Sequence, residues 1–123
     1  MNPCPCQSAE LYDDCCARFH RGETLAPTAE RLMRSRYSAY ALNLADYLMS
    51  TWHSSTRPKM LELDADVRWF RLDIVSRTKG SMFDTTGTVE FRAHYRLDGA
   101  ADQQHENSRF VRESGAWLYV DAV

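Results

Sequence analysis

Two hydrophobic periods divide this chain. From residue 28 to 52, in TAERLMRSRYSAYALNLADYLMSTW, apolar positions recur three and four apart. Met33, Tyr37, Tyr40 and Leu44 follow a helical spacing, and Glu30 stands four residues before Arg34. This pattern predicts a helix from about Pro27 to Leu42. Asn43, with Asp46 three residues on, has the form of a helix start, so a second helix is predicted to about Trp52, with Leu44, Leu48 and Trp52 on its buried side. HSSTRP ends it, because the residue before Pro58 is driven out of helical backbone.

Beyond that loop the period falls to two. VRWFRLDIVSR places Phe70, Leu72 and Ile74 on one face and Trp69, Arg71 and Asp73 on the other. TVEFRAHYRL places Val89, Phe91, Ala93, Tyr95 and Leu97 together. HENSRFVRE and AWLYVDA complete four strands, with turns at KGS, DGAAD and Ser114-Gly115. Strands joined by such short turns are antiparallel. Helices first and a meander after them predict an α+β fold with the helices on one face of the sheet.

Before residue 28 the pattern is different. The four cysteines, Cys4, Cys6, Cys15 and Cys16, all lie within the first sixteen residues, in MNPCPCQSAELYDDCC. ARFHRGETLAP then has the look of a linker with a Gly turn. Paired disulfides are one reading of the cluster and a tetrahedral metal site is another. Adjacent Cys15 and Cys16 bond to each other only with strain, though each reaches Cys4 or Cys6. The start has neither a basic nor an apolar export-signal segment, so the expected address is the cytoplasm, where thiols stay reduced. Four soft sulfur ligands at this spacing suit structural Zn²⁺. His20, four residues after Cys16, is the second choice for one ligand. Four reactive thiols near a frayed terminus are the third reading.

Length and charge narrow the rest. With 123 residues the chain is one ordinary domain. Its net charge of −2 gives no general drive toward nucleic acid or an anionic membrane, and no apolar run is long enough to cross a bilayer. The charge is uneven. Residues 18–59 hold seven basic side chains and three acidic ones. An anion-selective surface for a carboxylate, a phosphate or an acidic protein is one consequence. The other is a set of solvated helix faces and internal ion pairs, with Arg36 and Arg57 holding the loop after the second helix.

CPCQSAELYDDCC resembles the SEC-C motif, whose pattern of C-x-C-x-S-G, a short helix and C-C falls on Cys4, Cys6, Ser8, Cys15 and Cys16. Gln7 and Ala9 stand where that motif usually has glycines. TAERLMRSRYSAYALNLADYLMSTWHSSTRP, VEFRAHY and SRFVRESGAWLYVD resemble the bacterial YchJ family. The resemblance implies a SEC-C-like zinc knuckle at residues 1–22 and a nuclear-transport-factor-2-like (cystatin-like) body at 23–123. That body is a cone: a curved antiparallel sheet wrapped around helices and enclosing a pocket. It implies no particular reaction.

Periodicity and the resemblance together place Arg36, Tyr37, Tyr40, Tyr47, Trp52, His53, Arg57, Trp69 and Arg71 near that pocket. Aromatics at helical spacing are otherwise simply core. His53 with Asp46 is the one pair suited to proton transfer. Asp46 has a simpler role in the helix start, and His53 one at a helix end. Two functions stay open. One is a zinc-shaped interaction module binding a protein partner and holding a peptide or small anion. The other is a lyase or isomerase using His53. A homodimer through the outer sheet face competes with a monomer, since Thr88, Glu90, Arg92, His94 and Arg96 make that face polar.

Overall fold

A computed structural model describes residues 2–123. A 3₁₀ turn (Tyr12–Asp14) leads into helices α1 (Cys16–His20), α2 (Ala29–Ala41) and α3 (Ala45–Ser50). Strands β1 (Arg68–Lys79), β2 (Thr86–Leu97), β3 (Ala100–Glu113) and β4 (Ala116–Ala122) follow. The four strands form one antiparallel sheet in the order β1-β2-β3-β4, as the meander predicts.

α2 starts where the Thr28 side chain accepts a hydrogen bond from the Arg31 N–H at 3.1 Å. It ends two residues before Asn43, which has φ +59°. The Asn43 N–H reaches the Tyr40 carbonyl at 3.4 Å and the Leu44 N–H reaches the Ala39 carbonyl at 2.8 Å. These two bonds are the Schellman pattern that closes a helix. Asn43 therefore terminates α2 instead of starting α3. The residue preceding α3 is Leu44, with no side-chain cap. Asp46 lies in the first turn of α3 without a capping bond, and the helix stops at Ser50, short of Trp52.

The hairpins follow from turn chemistry. Asp98-Gly99 and Ser114-Gly115 both have positive φ at both positions, the two-residue turns whose twist suits adjoining strands. DGAAD is therefore a tighter turn than the sequence suggests, and β3 already begins at Ala100. The β2 alternation is as expected, with Val89, Phe91 and Ala93 buried.

In β1 the phase breaks. Trp69 pairs with Tyr95, but Arg71 pairs with His94, so Phe70 is an extra residue in a bulge. One inserted residue exchanges the faces on either side of it. Trp69 joins Leu72 and Ile74 on the inner side, while Phe70 is 42% exposed.

The cysteine segment packs into the same core as the body. Cys4, Cys6, Cys15 and Cys16 belong to one buried cluster with Phe19, Tyr37, Leu72, Val89 and Phe110. ARFH, expected as linker, is helical in α1, and its Ala17 and Phe19 are buried. At the other end of the sheet, Thr51 to His53 run beside β4. The Tyr119 N–H reaches the Thr51 carbonyl at 2.8 Å, and the His53 N–H reaches the Tyr119 carbonyl at 2.7 Å. That strip covers part of the β4 edge and sets Trp52 beside Tyr119.

Candidate functional site

The four cysteine sulfurs lie within 4.8 Å of one another, and all four residues are buried. Cys6 and Cys15 sulfurs are 3.7 Å apart and those of Cys15 and Cys16 4.0 Å, so none is in a disulfide. Four sulfurs around an ion at about 2.3 Å stand about 3.8 Å apart, so the group fits a tetrahedral ion. Gln7 and Ala9, at the SEC-C glycine positions, have φ +67° and +70°. The left-handed turns are kept without glycine.

Hydroxyls support the sulfurs. Ser8 Oγ is 3.2 Å from Cys15 Sγ, and Ser38 Oγ is 3.3 Å from Cys16 Sγ. Arg34 Nη1 donates to the Cys6 carbonyl at 2.6 Å, which ties α2 to the loop. With thiols alone, burial pushes Cys15 up to about 11. The contact between Cys16 and Cys4 raises Cys16 and lowers Cys4. A cation at the centre would favour the thiolate at every position.

His20 is not part of this group. Its Nε2 lies 2.8 Å from the Ser35 carbonyl and so carries the proton, which leaves Nδ1 to accept from the Tyr12 hydroxyl at 2.7 Å. Tyr47 packs edge-on against the ring, and its hydroxyl bonds to Ser35 Oγ at 2.7 Å. Burial lowers the His20 pKa.

A second feature lies between α2 and the sheet. A cavity of about 230 Å³ is lined by Arg36, Tyr37, Tyr40, Trp52 and Trp69, with Met33, Phe91 and Ala93 as apolar wall and Glu106, Ser108 and Tyr119 from β3 and β4. Five of the residues named from the sequence thus meet at one cavity. Arg71 does not. It alternates with buried Leu72 and so points outward, where it pairs with Asp73 at 3.0 Å. Tyr47 lies behind α2 with His20. Arg57 is exposed and donates twice to the Trp52 carbonyl, at 3.1 and 3.0 Å. His53 is outside the lining, with Nε2 at 2.8 Å from Glu113 and Nδ1 at 2.7 Å from Ser55. Asp46 is bonded to neither ring nitrogen.

Arg36 is the unusual lining residue, at 4% exposure. Its Nη1 donates to the Leu48 carbonyl at 2.8 Å and to Thr51 Oγ1 at 2.7 Å, so it holds the loop after α3. Its guanidinium lies 5.1 Å from the Trp52 ring centre and 4.8 Å from that of Tyr119. Among the described residues, Nε and Nη2 have no acceptor and no carboxylate is within ion-pair distance. Burial lowers its pKa, but a guanidinium remains a cation at neutral pH. The Trp52 indole N–H, unlike these two nitrogens of Arg36, is fully buried without an acceptor.

The other arginines of the basic segment are mostly engaged. Arg21 pairs with Asp13 at 2.7 Å, Arg34 with Glu30 at 3.0 Å, and Arg18 and Arg31 lie over Phe19. Two of the seven basic side chains, Arg21 and Arg34, are thus in ion pairs, so ion pairing accounts for part of that charge. Glu106, Ser108 and Tyr119 are lining residues that the helical and β1 patterns do not name. Their signal is the alternation in HENSRFVRE, which sets Glu106 and Ser108 on the face of Phe110, with Phe110 opposite Tyr119.

Comparison with known proteins agrees with this architecture. Residues 2–18 match the SEC-C motif, and residues 28–122 match the YchJ middle NTF2-like domain. A UPF0225 protein of Streptomyces coelicolor is 54% identical over 97% of this chain and 93% of its own length. A UPF0225 protein of Corynebacterium glutamicum is 49% identical over 94% and 92%. The solution structure of RPA3114, a SEC-C motif containing protein from Rhodopseudomonas palustris, superposes with a TM-score of 0.85 at 32% identity, covering 100% of this chain and 98% of that one. The crystal structure of a SEC-C motif containing protein from Psychrobacter arcticus gives 0.82 at 29% identity, covering 98% and 81%. Sequence, sheet order and cysteine placement together make this chain a member of the YchJ, or UPF0225, family: an NTF2-like domain joined to a SEC-C motif.

Proposed function

We propose that this chain is a cytoplasmic, non-catalytic binding module. Cys4, Cys6, Cys15 and Cys16 hold a structural Zn²⁺, and the cavity beneath α2 takes a small anionic ligand. The N-terminal segment that the ion shapes is the face offered to a protein partner. With sulfur at every position the ion has no open site for water or substrate, and its contribution is to tie residues 4–16 into the core.

The observation that carries the ligand reading is Arg36. A buried cation is costly unless it is paired. Here two of its three nitrogens lack an acceptor and the side chain borders an open cavity. A ligand carboxylate supplies what they lack. A lyase or isomerase built on His53 has less support, because that ring is engaged by Glu113 and Ser55 outside the cavity lining.

The test has two parts. Metal analysis of freshly purified, reduced protein should find one zinc per chain, removable by a chelator together with a loss of thermal stability. A titration of the zinc-loaded chain with 3-phenylpropionate, followed by the Trp52 indole N–H resonance, should saturate and should be lost in Arg36→Met. Absence of saturation, or equal binding by the variant, overturns the ligand reading. Paired disulfides in reduced, zinc-supplied protein overturn the metal reading.

A further inference from the structure

The cavity has a second charge. Glu106 lines it together with Arg36, yet the two are not an ion pair. Tyr119 stands between them. Its ring face lies under the guanidinium at 4.8 Å, and its hydroxyl donates to Glu106 Oε2 at 3.0 Å. Ser108 Oγ also donates to Oε2. Oε1 has only a long contact of 3.4 Å from Gln104 Nε2. One side of the cavity thus ends in guanidinium nitrogens without acceptors. The other ends in a carboxylate oxygen with spare capacity.

A purely anionic ligand would satisfy Arg36 and meet repulsion from Glu106. A purely cationic one would do the reverse. We infer that the ligand is a small zwitterion of the amino-acid class, with its carboxylate on Arg36, its ammonium on Glu106 Oε1 and an apolar side chain against Met33, Phe91 and Trp69. This rests on the reading of Arg36 as an anion site and adds the second charge.

Size agrees. An apolar cavity of about 150 Å³ admits benzene, so 230 Å³ leaves room for a ring or branched chain with its two charged groups. So does spacing. The guanidinium lies 4.8 Å over the Tyr119 ring centre and Glu106 Oε2 lies 3.0 Å beyond the Tyr119 hydroxyl, so the two charges are separate but flank the same side chain, as the two ends of an α-amino acid require. Tyr37 and Tyr40 line the same cavity, and aromatic rings attract a nearby ammonium.

The experiment compares three ligands on the zinc-loaded full chain, by calorimetry and by the indole N–H resonances. L-phenylalanine carries both charges, 3-phenylpropionate lacks the ammonium, and L-phenylalaninamide lacks the carboxylate. L-phenylalanine should bind about tenfold or more tighter than either analogue, as expected for one charge-assisted hydrogen bond. Glu106→Gln keeps an acceptor for Tyr119 and Ser108, and should bring phenylalanine down to the level of phenylpropionate. If phenylpropionate binds as tightly as phenylalanine to the natural chain, the zwitterion inference fails and the anion site stands. If phenylalaninamide binds as tightly, the inference fails and Arg36 is not the determinant. If none of the three binds, both readings fail together.

Discussion

Replacing Arg36 by Met separates its two roles, because Met retains the stem and removes the charge. Two charge-assisted hydrogen bonds are lost, to the Leu48 carbonyl and Thr51 Oγ1. Such bonds contribute about 1.5–3 kcal/mol each, and their loss costs more when the partner is stranded. Here neither partner is. The single Thr51 hydroxyl proton keeps the Tyr47 carbonyl at 2.8 Å or the Leu48 carbonyl at 3.3 Å as its acceptor. The loss is therefore nearer about 3 kcal/mol in total. Against it, a buried guanidinium no longer has to be kept from water, and Met buries added apolar surface worth about 1.5 kcal/mol or more. The sum falls within about 2 kcal/mol of the natural chain in either direction. Urea denaturation of zinc-loaded protein measures it, and at a slope of about 2 kcal/mol per molar the midpoint moves by no more than about 1 M. Carboxylate binding should vanish in the same protein. A loss of about 4 kcal/mol or more would refute the reasoning. Arg36 would then be an anchor for the loop after α3, as the plainer reading of the sequence has it.

Three further outcomes follow from backbone and burial. Ala9→Gly should stabilise the zinc-loaded chain by about 0.5–1 kcal/mol, because φ +70° is strained for a residue with a Cβ; a lower urea midpoint would contradict this. Gly87→Ala should cost about 2–3 kcal/mol, since the new Cβ would stand 2.5 Å from the Gly80 Cα, whose carbonyl accepts the first N–H of α2; a midpoint equal to the natural chain would show that this hairpin gives way freely. His20 has a folded pKa below its ordinary value, so the stability it contributes is full above about pH 6.5 and is lost as pH falls through the folded value. His20→Gln can still accept from Tyr12 and donate to Ser35, and should lose less stability than the natural chain between pH 7 and pH 5; equal losses would place the acid sensitivity elsewhere.

Much of this molecule is local in origin and is therefore written in short stretches of sequence. The β2 alternation, the Ser114-Gly115 turn and Thr28 at the start of α2 depend on neighbours within a few residues. The cysteine spacing likewise marks out the four-sulfur cluster, because thiols so close in sequence have few ways to lie apart once the segment is folded. What tertiary structure decided lies where distant segments set the geometry. The bulge at Phe70 exists in the pairing of β1 with β2, and it is what brings Trp69 to the face of Leu72, opposite to Arg71. α1 is five residues long, too short to be stable by itself, and is formed by packing Ala17 and Phe19 under the cysteines. Asn43 fits either helix end in sequence, and the backbone turn selects one. The cavity draws on α2, the loop after α3 and all four strands, so no window of sequence contains it. Burial of Arg36, and its standing opposite Glu106 without pairing, are properties of that assembly: charge is written in the residue, but the desolvation that gives it force comes only from what folds around it.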